Sequence, residues 1–134
     1  MTTDHQQLIA LMPFAEAIGV RLTDATPHEV RAHLDWAPQH CTAGGVLHGG
    51  AVMTLADAAG AICAFLNLPE GAGTATTESK TNFFRALREG TLHAVSRPLH
   101  IGRTSITVQT ELLDTTGRRI GHTTQTQAVL DARP

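Results

Sequence analysis

Apolar residues first recur at helical spacing between Asp4 and Met12, where Leu8, Ile9, Leu11 and Met12 fall on one side of a short N-terminal helix. Pro13 closes that pattern, because the residue before a proline avoids the helical region. Beyond Gly19 the period changes to two: Val30, Ala32, Leu34 and Trp36 alternate with Arg31, His33 and Asp35, the pattern of a half-buried strand. Residues Ala37 to Gly50, with Pro38 and four glycines, read as a loop. It leads into an Ala-rich, proline-free run from Ala51 to Leu66 that predicts a helix. Only Thr54 and Asp57 are clearly polar in that run, so the helix is expected to be buried on most sides.

After a turn at Pro69 to Gly73 come segments rich in Thr, Val and Ile: Thr74 to Phe84, Thr91 to Ile101, Arg103 to Asp114 and Arg119 to Leu130. They are separated by Glu89-Gly90, Gly102 and Thr116-Gly117 with no room for crossover helices, which predicts an antiparallel sheet. The fold class that follows is α+β, a long buried helix wrapped by a curved antiparallel sheet. At 134 residues the whole chain, 1–134, is expected to form one domain.

Composition narrows the function. A net charge of -2 excludes a general nucleic-acid binder, which would carry a basic balance or stripe. The N-terminus lacks a basic stretch followed by an apolar core, and the Ala51 to Leu66 run is shorter than a bilayer span, so a soluble cytoplasmic protein without membrane contact is expected. Cys41 and Cys63 form no CxxC pair and read as free thiols of a reducing compartment. The eight histidines make no HxH or HxxxH spacing, so no metal is expected, and the glycines are followed by no GK[ST] phosphate loop.

The stretch that carries chemistry runs from Thr42 to Asp57. His48-Gly49-Gly50 stands at the entry of the apolar helix, where backbone N–H groups lack helical partners and the macrodipole adds partial positive charge. A glycine at position 49 lets a ligand oxygen approach its N–H, the donor arrangement of an oxyanion hole; equally, the glycine pair serves a tight entry into the helix. Asp57 lies about two turns inside. A carboxylate on an apolar helix is either satisfied by a hydroxyl, from Thr54 or a threonine of the sheet, or retained for catalysis. Cys41 near His48 suggests a thiol nucleophile, but no third orienting group accompanies it.

The His48-Gly49-Gly50 turn, the small apolar helix and Leu55-Ala56-Asp57 resemble the hotdog-fold acyl-CoA thioesterases, in particular the branch of the phenylacetate-pathway and 4-hydroxybenzoyl-CoA enzymes. The resemblance extends over nearly the whole chain through Pro13-Phe14, Asn82-Phe83-Phe84-Arg85, His100-Ile101-Gly102-Arg103 and the closing threonine-rich strand. It implies hydrolysis of an acyl thioester to free acid and CoA, without a cofactor. Gly49 N–H would polarise the carbonyl, Asp57 would act as general base or nucleophile, and His48 would orient the thioester or its loop. Family members commonly carry Asn or Gln six residues before the histidine; here that position is Thr42, a departure in the group that would place the water. A second polar side chain is expected from the strand after the helix, at Thr76, with Thr77 and Glu78 as competitors. Gly50, Thr77 and Gly102 join the expected substrate-binding set, with Arg85 and Arg103 for the CoA phosphates and Arg88 as a further candidate.

Two rival functions remain on the sequence alone. One is a hotdog enoyl-thioester hydratase, although the chain lacks the Asp-x-x-x-x-His helix of that group. The other is a non-catalytic module that binds acyl-CoA. Finally, eight residues of helix separate Gly49 from Asp57 by about 12 Å, more than an aspartate side chain spans. The resemblance to enzymes that pair as dimers, or dimers of dimers, leads to the expectation that two subunits share each site.

Overall fold

A computed structural model describes residues 4–131; the outermost residues of the expected 1–134 domain, 1–3 and 132–134, lie outside that range. Helix α1 spans His5–Ala10, and its N-cap Asp4 accepts a hydrogen bond from the Gln6 N–H at 2.9 Å. Pro13 does more than end this helix. It occupies the first turn of a second helix, α2 (Pro13–Ile18), where its missing N–H costs nothing, and Gly19 closes that helix with a φ of 95°. The sequence reading saw only the first of these roles.

Strands β1 (Arg21–Ala25) and β2 (Val30–Asp35) follow, then helix α3 (Gly49–Phe65), then β3 (Gly73–Phe83), β4 (Thr91–Ile101), β5 (Ser105–Leu113) and β6 (Arg119–Leu130). The four later strands stand within two residues of the expected bounds; β1 is too short to show a period of its own. The β4–β5 turn holds Gly102 and Arg103, so β5 begins at Ser105 rather than Arg103. The six strands pair antiparallel throughout, in the order β1-β2-β4-β5-β6-β3, with β1 and β3 at the edges. Alternation along β5 is complete: Ile106, Val108, Thr110 and Leu112 are buried and their neighbours are not.

Helix α3 lies on this curved sheet. Val52, Leu55, Ala56, Ala59, Ile62 and Cys63 pack against Leu34, Leu92, Ile106, Val108 and Leu112 to form the core. Nine of the seventeen residues of α3 are buried, so the helix is covered over most of its circumference, as expected, but not all the way round. Gly50, Met53, Asp57 and Phe65 form the exposed stripe that remains, with Asp57 at its border with the sheet. Small residues on α3 bring its backbone close to the sheet; they do not reflect enclosure on every side. Strand β3 is likewise exposed along most of its length on both faces.

No helix among the described residues is long and apolar enough to cross a membrane. Burial raises the pKa of the Cys63 thiol to about 11, while the Cys41 Sγ donates to the Ala37 carbonyl at 3.3 Å. Leu55 sits fully buried at the centre of the helix–sheet contact. Replacing it with alanine should lower the unfolding free energy in urea by about 2 to 5 kcal/mol, the range for a core leucine whose surroundings cannot collapse.

Candidate active site

The loop before α3 is braced from several directions. The Trp36 Nε1–H donates to the Gly45 carbonyl at 3.0 Å, Cys41 and Leu47 form an antiparallel bridge, and Leu47 N–H reaches the Leu87 carbonyl at 2.8 Å. His48 is thereby delivered to the N-cap of α3 with extended backbone. Its Nδ1 accepts the Gly50 N–H at 2.8 Å, which leaves Nε2 to carry the ring proton in the neutral form. A histidine in this place therefore does the work usually given to Ser, Asp or Asn.

This cap divides the glycine pair. The Gly50 N–H is consumed by His48, and a side chain at position 50 would press on that ring, since a Cβ there would stand 3.0 Å from Nδ1. The Gly49 N–H has no partner among the described residues, and a Cβ on Gly49 would lie 3.3 Å from the Phe83 ring. An open cleft of about 390 Å³ adjoins it, lined by Thr42, Gly49, Phe83, Phe84, Arg85 and Leu87 among others. A free N–H at the positive end of a helix, with Thr42 and Arg85 around it, is chemically suited to an oxygen that carries developing negative charge.

Asp57 lies on the exposed stripe rather than in the core, which corrects the expectation of a buried carboxylate. Its Oδ1 receives two long hydrogen bonds, from Thr76 Oγ1 at 3.4 Å and from Gln125 Nε2 at 3.5 Å. Its Oδ2 has no partner among the described residues. Thr54, the other hydroxyl considered, is occupied with the Gly50 carbonyl at 2.8 Å. Of the three adjacent positions on β3, the structure brings Thr76 to Asp57. The register with β6 shifts between Thr76 and Glu78, and Thr77, the extra residue there, turns its hydroxyl to the Thr126 carbonyl at 3.3 Å.

Behind Thr76 stand two residues that the sequence reading missed, Gln125 and Gln127, both fully buried on β6. Gln127 Nε2 donates to Thr76 Oγ1 at 2.7 Å, and its Oε1 accepts from Thr74 Oγ1 at 3.2 Å. Because Thr76 Oγ1 accepts that amide hydrogen, its own proton is free to point at Asp57. The residue pattern of β6 carries no signal for these two residues: its apolar Ile120, Ala128 and Leu130 lie on even positions, whereas the structure buries 121, 123, 125 and 127 and so carries two amides into the core.

The arginines separate. Arg88 is tied to the Gly44 carbonyl at 3.1 Å, whereas no protein partner appears for the Arg85 or Arg103 side chains among the described residues. Arg85 follows the end of β3, and Arg103 lies in the hairpin near its start; the strand between those ends is about 33 Å long. Gly102 donates its N–H to the Ser105 carbonyl at 2.8 Å, and a Cβ there would meet both that oxygen and the His100 ring. One chain thus holds Thr42, Gly49 and Arg85 in one group, Asp57 and Thr76 in a second, and Gly102 with Arg103 in a third. No group of three or more metal-ligating side chains occurs among the described residues.

One and two turns beyond Asp57 on α3, Ala61 and Phe65 join Leu8, Leu11, Met12 and Thr74 around an apolar hollow of about 150 Å³.

Comparison with known proteins adds an independent line. Residues 44–120 match the model of the thioesterase superfamily. The proofreading thioesterase EntH of Cronobacter sakazakii is 33% identical over 103 residues, covering 76% of this chain and 69% of that protein. A thioesterase of Haemophilus influenzae superimposes with a TM-score of 0.92 at 21% identity, covering 100% of this chain and 95% of the other. A mutant thioesterase of Pseudomonas aeruginosa does so with a TM-score of 0.90 at 27% identity, over 97% and 96% of the two chains.

The cap is directly testable. His48→Ala should cost about 1 kcal/mol of stability, read by chemical denaturation, and asparagine at the same position should restore most of it.

Proposed function

This chain belongs to the thioesterase superfamily and is a thioester hydrolase of the hotdog fold, and from that premise we propose that it cleaves an acyl-CoA with Asp57 as the catalytic carboxylate. The observation that carries this reading is the asymmetry at Asp57. One oxygen is held by Thr76 and Gln125, and the other is open on an exposed face. A carboxylate anchored through a single oxygen keeps the second fixed in direction for a proton or an electrophilic carbon.

In the reaction, Asp57 Oδ2 takes a proton from water as that water adds to the thioester carbonyl, or adds to the carbonyl itself to form an acyl anhydride that water then hydrolyses to the free acid and the restored carboxylate. The Gly49 N–H receives the oxyanion, and collapse of the tetrahedral adduct breaks the C–S bond and releases the CoA thiolate, which takes up a proton. His48 holds the turn that aims Gly49, and Thr42 faces the same cleft as a second polar group for the water or the carbonyl. The apolar hollow at Ala61 and Phe65 offers a place for the acyl group, while the unpaired guanidinium groups of Arg85 and Arg103 suit CoA phosphates.

The second part of the reading is that two subunits complete each site. Gly49 and Asp57 of one helix are about 12 Å apart, which no single carbonyl bridges. The exposed stripe of α3 and the unpaired edge β3 present the surfaces by which a second copy would dock around a two-fold axis. Gly49 of one subunit would then approach Asp57 of the other. A cytoplasmic location fits a CoA-dependent reaction and belongs to the same proposal.

Asp57→Asn should lower turnover on a responsive acyl-CoA, read as free CoA, by on the order of a hundredfold with folding retained; near-normal turnover removes Asp57 from the mechanism. Subunit sharing is tested by mixing Asp57→Asn with Gly49→Pro and allowing exchange. Mixed dimers contain one site with both intact halves and should regain activity. Proven heterodimers without activity would mean that each chain completes its own site.

A further inference from the structure

We infer that Gln125 is a positioning residue, a buried amide whose function is to aim the Asp57 carboxylate; this rests on the assignment of Asp57 to catalysis. Gln125 is 0% exposed, and among the described residues its side chain makes one hydrogen bond, which its Nε2 donates to Asp57 Oδ1 at 3.5 Å. Its Oε1 is buried and has no partner. A core amide with half its capacity unmet is unfavourable, and an apolar side chain of similar size would remove the deficit.

A second unfavourable feature sits beside it. Gly60 lies in the middle of α3, where alanine would suit the helix better, yet a Cβ at that position would run into the Gln125 amide. Helix and strand thus both forgo a more stable residue at one point, and what the pair gains there is a single hydrogen bond to the carboxylate. Convergent local costs of this kind mark a position held for function.

The direction of the amide follows from the charge of Asp57. Turned over, it would set its carbonyl against an ionised carboxylate and leave the NH2 unpaired in the core. In the observed sense it adds to Thr76 as a second donor to Oδ1, and Oδ2 is left for the reaction. Gln127 completes the arrangement from one step along β6 by holding Thr76 as a donor. Gln125 lies beneath the helix and has no route to the thioester, so its effect on the reaction passes through Asp57.

The test is Gln125→Met, which keeps length and apolar volume and removes the donor, assayed on the same acyl-CoA beside Asp57→Asn. A positioning role predicts that kcat falls about tenfold or more while KM stays within about twofold, because orientation of the base matters in the transition state and not in binding. It also predicts a Tm equal to or above that of the parent, since the orphaned carbonyl leaves the core. Unchanged kcat in Gln125→Met with Asp57→Asn inactive overturns this inference and leaves the catalytic assignment standing; an active Asp57→Asn removes both. A fall in Tm accompanied by matching changes in kcat and KM would make Gln125 merely structural. Should the methionine variant not fold, Gln125→Leu carries the same three readouts.

Discussion

The structure depends on one packing constraint: a seventeen-residue helix is laid against one face of a single sheet, so only part of its circumference can be covered. Ala56, Ala59, Gly60 and Cys63 let the helix approach the strands closely, while Leu55 and Ile62 fill the space between. The remaining stripe is left at the surface. Asp57 falls on that stripe yet near enough to the sheet to be touched by β3 and β6, and this boundary position lets a carboxylate be both anchored and accessible.

The same geometry separates the two halves of the proposed chemistry. A free N–H is available only at the start of a helix, whereas an anchored carboxylate needs the sheet beneath it, which here means two turns further on. The His48 cap sharpens the first half by spending the Gly50 N–H and leaving that of Gly49 unpaired. Family membership and the fold agree with a thioester hydrolase, and the distance inside one helix supports two copies meeting across the exposed stripe.

Much of this was legible in the sequence because the governing patterns are long. The nine residues of β5 alternate through several periods, β6 is threonine-rich and bounded by the Thr116-Gly117 turn, and the apolar run of α3 is unmistakable, so strand bounds and the helix came within two residues. What failed was short or depended on a partner. The five residues of β1 carry no period, and Pro13 reads equally as an end and as a beginning. The exposure of Asp57 was not legible, because an apolar helix does not announce which of its faces the sheet will cover. Thr76 was distinguishable from Thr77 only through the register shift, which is a property of the β3–β6 pair. Gln125 and Gln127 look polar and therefore exterior; their burial is set by the pairing of β6, and only the unusual Gly60 hints at it in the chain itself.

Register also explains how those amides come to lie beneath Asp57. A row of hydroxyls crosses the sheet from Ser96 through Thr110 and Thr123 to Thr81, following the pairing of β4, β5, β6 and β3. Ser96 meets Thr110 at 2.6 Å and Thr81 meets Thr123 at 2.7 Å. Ser96, Thr110 and Thr123 are buried, so leaving any of them unpaired would incur a desolvation cost. A slip of one residue would break these contacts and also turn every inward side chain outward. The hydroxyl row thus fixes where β6 stands against β3 and β5. Since Gln125 and Gln127 follow Thr123 at two and four residues, the same constraint carries both amides inward at Asp57 and Thr76. Apolar residues in the row would satisfy burial equally well, but dispersion tolerates small displacements that a directed hydrogen bond does not. The polar core of this sheet therefore acts as an alignment device, and the carboxylate on the helix is the group that benefits from it.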